Sequence, residues 1–346
     1  MKPVISILIP AFNAQEWIAE TLCSAIAQTW EPKEIILVDD GSTDATLAVA
    51  RRFESDCLRV FTQNNQGAAA ARNRAFSLSR GEYIQWLDAD DLLAHDKIAR
   101  QMAVLDRCRS ERTLLSSAWG KFFYRCSRTK FVESALWCDL SPAEWLVRKL
   151  GQNLQMPNLA WLVSRQLTEA AGPWDTSMFV DDDGEYFCRV LLQSDGIRFV
   201  PDAKVYYRAS GSSSLSYIGA SDKKLEAQWR SMQFQIASLR SLEDSTRIRA
   251  ASVAYLQNWL LHFYPERPDI VQKVRESARE LGHELALPRL SWKYAWIETV
   301  FGWGLAKRVQ RSLRNMKWSV VRFWDKTLLR VERWRSSRSI QQTSAA

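Results

Sequence analysis

Three groups of aspartates stand where a predicted strand ends or a predicted helix begins. The first group is Asp39 and Asp40, the second is Asp88, Asp90 and Asp91, and the third is Asp181, Asp182 and Asp183. Carboxylate oxygens suit Mg²⁺ and Mn²⁺, which commonly bridge to phosphate oxygens. An ionised carboxylate can also take a proton from a hydroxyl as a general base. These residue types therefore indicate cation binding, hydrogen bonding to a ligand, or proton transfer.

The stretch GEYIQWLDADD carries a predicted strand, Tyr83–Leu87, directly into an acidic turn. Asp88 and Asp90 are alternate residues of that turn, so both carboxylates can face one hard cation. Alternatively, they make only turn hydrogen bonds. In either case we expect Asp91 to cap a helix that runs from about Leu92 to Cys108.

The stretch VDDGSTD, residues 38–44, follows another buried strand. Asp40 could accept hydrogen bonds from a base or a ribose. Alternatively the segment is a capping loop, with Ser42 or Thr43 as N-cap and Asp44 favoured by the helix dipole. Capping accounts for residues 42–44 but leaves Asp39 and Asp40 unexplained.

Two further segments place polar groups at helix starts. NNQGAAAARNRAF begins a helix after Gly67 and carries Arg72 and Arg74, which suits a phosphate group. VDDDGEYFCRVLL places three aspartates before a helix, where an ionised carboxylate is favoured and could act as general base. The alternatives are a small-residue helix packed on a sheet and simple helix capping.

The elements that position these residues alternate between strand and helix. Predicted strands are Val4–Pro10, Glu34–Val38, Leu58–Phe61 and Tyr83–Leu87, and predicted helices are Ala14–Trp30, Thr43–Phe53 and Ala68–Ser79. This alternation predicts an α/β fold with a mostly parallel sheet covered by helices on both faces. Ligands bind such sheets outside the carboxyl ends of the strands, so the polar strand ends should meet in one crevice.

Farther along, the patterns are shorter. A strand is predicted from Leu114 to Tyr124, a helix after the N-cap Ser141, and a pair of strands in IRFVPDAKVYYR, residues 197–208. From Lys223 onward the sequence predicts mainly helices.

The composition is that of an ordinary globular protein of 346 residues, 47% hydrophobic and 25% charged. The six cysteines are widely spaced, which argues against a zinc site or a disulfide framework and favours a reducing compartment. The apolar start MKPVISILIPAF is predicted to be the first strand and not a signal peptide. With no apolar window of 18 residues, no membrane-spanning helix is expected.

The positive charge is concentrated in the last 60 residues. Residues 287–346 hold 13 Lys and Arg against three acids, a net +10, so the other 286 residues carry −2. Six tryptophans are interleaved with these cations. Such a segment suits an anionic membrane surface, or alternatively packs on the body with a solvated basic face. Charge alone would also permit nucleic-acid binding, but no motif supports it and none is expected.

In order and spacing, these motifs resemble the family 2 glycosyltransferases, inverting enzymes of the GT-A fold. The matching stretches are SILIPAFN, SAIAQTW, EIILVDDGSTD, NNQGAAAARNRA and GEYIQWLDADD, with GPWD and DDDGEYFCRVLL as the later, acceptor-side segment. The resemblance implies a GT-A domain at 1–215, with a nucleotide-sugar half at 1–110 and an acceptor half at 111–215. A helical extension at 216–286 and the basic, Trp-rich helical tail at 287–346 would follow.

The resemblance also implies roles for individual residues. Pro10 and Phe12 would line the nucleotide pocket, with Asp39 and Asp40 at the base and Arg72 on the nucleotide side. Asp88 would face the ribose and, with Asp90, the Mg²⁺ or Mn²⁺ on the diphosphate. Asp183 would be the general base, next to Asp182. Two departures stand out: Asp182 replaces the glutamate of the family's Glu-Asp pair, and Ala209 and Ser210 follow Arg208 where many relatives have a histidine.

These observations lead to one expected function and two rivals. We expect metal-dependent, inverting transfer of a sugar from a nucleoside diphosphate sugar to a glycan or lipid-linked acceptor. The enzyme would be cytoplasmic, with peripheral contact at the inner face of the membrane through 287–346. One rival is a catalytically silent nucleotide-sugar-binding module of the same fold. The other, a dinucleotide-dependent oxidoreductase, lacks a G-x-G-x-x-G after the first strand.

Overall fold

The computed structural model describes residues 2–105, 110–209 and 221–343. Its strands are β1 (Ile5–Ala11), β2 (Lys33–Asp39), β3 (Leu58–Thr62), β4 (Tyr83–Trp86), β5 (Leu92–Leu93), β6 (Thr113–Phe122), β7 (Lys130–Phe131), β8 (Val163–Ser164) and β9 (Gly196–Arg208). Its α-helices are α1 (Ile18–Ile26), α2 (Thr46–Arg51), α3 (Ala68–Ser77), α4 (Lys97–Met102), α5 (Pro142–Gly151), α6 (Arg165–Ala171), α7 (Asp182–Gln193), α8 (Asp222–Leu242), α9 (Thr246–Phe263), α10 (Pro268–Glu280), α11 (Ala295–Phe301) and α12 (Trp303–Thr343).

The first sheet has the strand order β3-β2-β1-β4-β8. Its first four strands are parallel, and only β8 runs antiparallel, beside β4. Every residue of the central strand β1 is buried, because a parallel sheet is covered on both faces and its strands are apolar throughout. The predicted α/β fold with a mostly parallel sheet is confirmed.

A second, separate sheet has the strand order β5-β9-β6-β7. Its long strands β6 and β9 are parallel, with an irregularity between Ser117 and Ala118. The predicted strand pair at 197–208 is therefore wrong: the segment is one strand, which passes Pro201 at that irregularity. Proline lacks the N–H of a regular ladder, so it is tolerated where pairing is interrupted.

Several predicted helix starts are also wrong. Leu92 and Leu93 form a short strand on β9, and α4 begins at Lys97, so Asp91 caps no helix. Helix α2 begins at Thr46 with Ala45 at the N-cap position, so Ser42 and Thr43 do not cap it either. Cys108, the predicted end of the helix after Leu92, lies outside the described residues. Ser141, in contrast, accepts the N–H of Glu144 as predicted.

Helices α8 to α10 belong to the same hydrophobic core, through buried residues such as Trp229, Leu256 and Val274. Helix α8 packs on α7, α9 packs on α5, and α10 packs on α9. The predicted helical C-terminal region is confirmed, while the domain boundaries 1–215, 216–286 and 287–346 stay a prediction. Among the described helices, none is both long and apolar enough to cross a membrane. The five described cysteines form no disulfide.

Candidate functional site

The carboxyl ends of β1, β2 and β4 lie side by side. Ala11 pairs with Asp39, and Leu8 pairs with Trp86, so Phe12, Asp40 and the turn after β4 emerge at one edge. A backbone hydrogen bond of 2.8 Å from Asp40 to Ala11 ties two of these ends together. The predicted convergence of the polar strand ends is confirmed, because adjacent parallel strands end at the same edge.

The two aspartates after β2 have different surroundings. The Asp40 carboxylate accepts hydrogen bonds from Gln63 Nε2 (2.7 Å), Gln66 N (2.9 Å) and Gly67 N (2.7 Å). Asp40 therefore holds the loop that leads into α3. Asp39 accepts from Ser42 N and Thr62 Oγ1 through Oδ2, while its buried Oδ1 has no partner in the described part of the chain.

At the end of β1, two candidate residues differ in exposure. Pro10 is buried, whereas the Phe12 ring is 49% exposed. An exposed phenylalanine beside polar strand ends offers a flat apolar surface on which a planar ring could stack.

Arg208 of β9 holds the turn after β4 through two hydrogen bonds. The Arg208 N–H donates to Asp91 Oδ1 (2.6 Å), and Arg208 Nε donates to the carbonyl of Asp90 (2.6 Å). Burial, with the negative charges of Asp90 and Asp88, raises the pKa of Asp91 well above its usual range. Asp91 therefore supports the turn from the interior, and Asp88 and Asp90 are partly exposed.

Arg208 itself is almost fully buried and was not singled out by its type or spacing. Its guanidinium pairs with Glu20 (2.7 Å) and lies over the rings of Trp17 (4.3 Å) and Phe122 (4.4 Å). No local signal pairs residue 208 with residues 90 and 91, because the contact depends on β9 lying beside β5. Ala209, one of the two residues that stand where the resemblance leads us to expect a histidine, follows β9, and Ser210 lies outside the described residues.

A divalent cation fits the donor set of the turn. Mg²⁺ and Mn²⁺ are commonly held by one or two carboxylates, with the remaining positions filled by phosphate oxygens and water. In the described ranges, no group of three or more His, Cys, Asp or Glu side chains is arranged to hold a metal. Asp88 and Asp90 therefore suit a cation that arrives with a phosphorylated ligand better than a cation caged by protein alone.

Arg72 of α3 connects the turn with helix α7. Its guanidinium donates to Asp88 Oδ1 (2.8 Å) and to Asp182 Oδ2 (2.6 Å) and lies over the ring of Trp174 (4.4 Å). The neighbouring Asn73 exchanges two hydrogen bonds with the backbone of Trp174. Sequence reasoning placed Arg72 near a phosphate but missed this bridge, which spans 110 residues of sequence.

The three aspartates at the start of α7 have different partners. Asp181 accepts hydrogen bonds from Ser231 Oγ (2.6 Å) and Gln235 Nε2 (2.7 Å) of α8. Asp182 is paired with Arg72. In the described part of the chain, Asp183 accepts one hydrogen bond, from the backbone N–H of Gly184 (2.9 Å). Burial, with the charges of Asp181 and Asp182, raises the pKa of Asp183 to about 7.

Chemically, this arrangement unites carboxylate oxygens of a type that suits a divalent cation with a carboxylate that can accept a proton near neutral pH. Arg72 joins the two functions, since one guanidinium contacts Asp88 on one side and Asp182, next to Asp183, on the other. A carboxylate whose pKa lies near the working pH is suited to general base catalysis.

Comparison with known proteins relates the first third of the chain to one family. Residues 6–111 match the family model described as Glycosyl transferase family 2. Over 104 residues the chain is 38% identical to a putative teichuronic acid biosynthesis glycosyltransferase, TuaG, of Bacillus subtilis, which covers 29% of this chain and 41% of that protein. An uncharacterized glycosyltransferase of Haemophilus influenzae is 40% identical over 103 residues, again 29% of this chain and 41% of the relative. The chain thus spans less than half the length of these two relatives.

Solved structures show the same fold over more of the chain. TarS 1-349 of S. aureus in complex with UDP-GlcNAc aligns with a TM-score of 0.56 at 18% identity, covering 81% of this chain and 92% of that one. Its complex with UDP aligns with a TM-score of 0.54. At this identity the likeness concerns the fold, and it confirms the predicted GT-A-type architecture.

Proposed function

Since residues 6–111 match the family model of glycosyl transferase family 2, we propose that the chain transfers a sugar from a nucleoside diphosphate sugar to a hydroxyl acceptor. The observation that carries the proposal is the Arg72 bridge, which joins the acidic turn Asp88–Asp91 to the aspartates of α7. Both groups are needed for sugar transfer: one at the diphosphate and one at the attacking hydroxyl.

On the donor side, the nucleotide would lie across the ends of β1 and β2. Phe12 would offer its exposed ring and Pro10 would line the pocket, and Asp39, whose buried Oδ1 has no partner in the described part of the chain, would lie next to the base. Asp40 would act mainly through the loop that it holds, because its carboxylate already accepts three hydrogen bonds. The UDP and UDP-GlcNAc complexes of TarS support a nucleotide-sugar donor for this fold.

Asp90 and Asp88 would hold Mg²⁺ or Mn²⁺ together with the diphosphate of the donor. The cation would neutralise the charge that develops on the departing nucleoside diphosphate. Arg72 would keep Asp88 oriented and would itself lie close to the diphosphate.

Asp183 is the proposed general base. The acceptor hydroxyl oxygen forms a bond to the anomeric carbon, the bond from that carbon to the diphosphate oxygen breaks, and the hydroxyl proton passes to Asp183. A single displacement of this kind inverts the anomeric centre. Asp182, held by Arg72, would orient the start of α7 and so position its neighbour.

The acceptor would be a glycan or a lipid-linked glycan, on the cytoplasmic face of a membrane. The basic, tryptophan-rich tail at 287–346 supports a lipid-linked acceptor, since such segments suit anionic membrane surfaces. The similarity to TuaG, named for teichuronic acid biosynthesis, supports a role in polysaccharide assembly.

The proposal is tested by a melting screen of nucleoside diphosphates with and without Mn²⁺, followed by assays of donor hydrolysis and transfer. A ligand that binds the folded state raises the melting temperature. Asp90→Ala should lose the Mn²⁺-dependent rise, while the surface control Asp202→Ala keeps it. No rise with any nucleotide would refute the donor site, and nucleotide binding without turnover would favour a silent binding module.

A further inference from the structure

The long helix α12 presents an apolar stripe to solvent. At 3.6 residues per turn, eight apolar side chains fall within an arc of roughly 100°. All eight are exposed, with Val320 at 51% and Trp324 at 59%. We call them the outer stripe: Leu305, Leu313, Met316, Val320, Phe323, Trp324, Val331 and Trp334.

The opposite side of α12 is fixed to the body of the protein. Asp325 accepts from Arg125 Nε (2.7 Å) and from the backbone N–H of Tyr124 (2.9 Å) and Arg125 (3.1 Å). Glu332 pairs with Arg125 (3.0 Å), and Lys326 pairs with Glu16 (2.7 Å). These contacts set the rotation of the helix, so the outer stripe faces away from the body.

The same contacts leave the unpaired charges of α12 positive. The only two acids of α12, Asp325 and Glu332, are both paired with Arg125. Lys317 and Arg330 border the outer stripe on its two sides. Seven cations of α12 make no ion pair with any residue that the structure describes: Arg308, Arg311, Arg314, Lys317, Arg322, Arg330 and Arg333.

A second exposed apolar group precedes α12. Trp292, Trp296, Val300 and Phe301, in and around α11, are all more than half exposed. Large exposed apolar patches on a folded protein indicate an interaction surface, because water contact with them is unfavourable.

We infer that the outer stripe of α12 is a docking surface for an anionic lipid bilayer. The helix lies in the plane of the interface, with its apolar side chains in the acyl boundary and its bordering cations at the headgroups. A second copy of this chain is a poorer partner. Two such stripes would bring two sets of unpaired cations together, whereas anionic headgroups complement them.

Docking in this orientation has a consequence for the proposed sugar transfer, on which this step rests. Leu329, Arg330 and Arg333 of α12 line a cavity of about 120 Å³ together with Trp17, Glu20 and Arg208. Arg208 in turn holds the carbonyl of Asp90. The cavity therefore lies between the membrane-docked helix and the residue that holds the proposed cation site, which suits an acceptor anchored in the same bilayer.

The test uses the full chain and two variants with the same substitution. Val320→Glu places a charge in the outer stripe, and Val132→Glu, at a residue that is 76% exposed elsewhere, is its control. Co-sedimentation is measured at low salt with vesicles of phosphatidylglycerol and phosphatidylcholine, and with phosphatidylcholine alone. We expect the parent and Val132→Glu to bind the anionic vesicles, and Val320→Glu to bind at least tenfold more weakly. Melting curves verify that all three proteins fold.

Several outcomes would overturn the inference. It fails if the parent ignores anionic vesicles, or if Val320→Glu binds them as the parent does. A concentration-dependent dimer that Val320→Glu dissociates, without vesicle binding, would identify a second copy as the occupant. A melting screen with UDP and Mn²⁺ on the same samples reports separately on the proposed donor site, so either proposal can fail without the other.

Discussion

Three consecutive aspartates, 181 to 183, occupy different environments although they share one residue type. Asp181 is satisfied by α8 and Asp182 by Arg72, so both carboxylates are committed to structure. Asp183 meets neither partner, and its burial, with the negative charges of Asp181 and Asp182, raises its pKa to about 7. The difference between a structural carboxylate and a proposed base is thus a difference of partners.

Substituting the proposed base should separate binding from chemistry. We expect Asp183→Asn to keep the melting shift with a nucleoside diphosphate and to lose about 10²–10⁴-fold in turnover, since a base acts in the transition state. Asp182→Asn is the matched variant, which loses part of the pairing with Arg72 but keeps the base. If Asp182→Asn is inactive and Asp183→Asn active, the base is Asp182; two active variants would place it elsewhere.

Arg72 should control the pH dependence of the reaction. Its positive charge favours the ionised form of Asp183, so its removal should raise the pKa of Asp183 above about 7. A base must be deprotonated, so activity is present above this pKa and is lost as the pH falls through it. We expect the acidic limb of the rate profile to move to higher pH in Arg72→Met, and to move less in Arg72→Lys, which keeps a charge.

The exposed Arg74, on the same helix, supplies the control. Arg74→Met should leave the pH profile unchanged, because Arg74 has no carboxylate partner in the described part of the chain. An unshifted acidic limb in Arg72→Met would show that Arg72 does not influence the base.

At the scale of elements, the start of α7 depends on a close approach that only glycine permits. A Cβ at Gly184 would lie 2.3 Å from Asp181 Oδ1 and 2.6 Å from its Cγ. We therefore expect Gly184→Ala to displace the Asp181 carboxylate from α8 and to lower the free energy of unfolding by about 1–3 kcal/mol, as overpacking does. Chemical denaturation measures the change.

Gly304→Ala is the matched control, because a Cβ there meets no atom within 4 Å. In a helix, alanine is favoured over glycine by about 1 kcal/mol, so this variant should be no less stable than the parent. Equal stability of Gly184→Ala and the parent would mean that Asp181 is not tightly held.

Local patterns predicted the first 90 residues well and the later contacts poorly. Strands such as β1 and β2 are continuous apolar runs between helices, so their type and parallel pairing follow from the sequence. Leu92 and Leu93 resembled a helix start, yet they form a strand because β9 pairs with them from more than 100 residues away. The bridges of Arg72 and Arg208 were missed for the same reason: their partners are neighbours only in the folded chain.

At the scale of the whole molecule, the charge is divided between a weakly acidic body and a basic tail. The tail carries +10 and the remaining 286 residues carry −2. The two ways of accommodating the tail, packing on the body and presenting a surface to a membrane, are compatible in this structure. One side of α12 pairs with Arg125 and Glu16, and the other side carries the outer stripe.

Salt should separate the two contributions to membrane docking. Attraction between cations and anionic headgroups is worth about 1 kcal/mol per residue near the surface, and the screening length falls from about 10 Å at 0.1 M salt to about 3 Å at 1 M. Apolar insertion is not screened in this way.

We expect vesicle binding by the full chain to fall steeply as the salt concentration rises and then to level off. Val320→Glu should abolish the binding that persists at high salt. Replacing Lys317 and Arg330, which border the outer stripe, by glutamine should instead weaken binding at low salt and leave the binding that persists at high salt unchanged. Binding that ignores salt altogether would assign the docking to the apolar stripe alone.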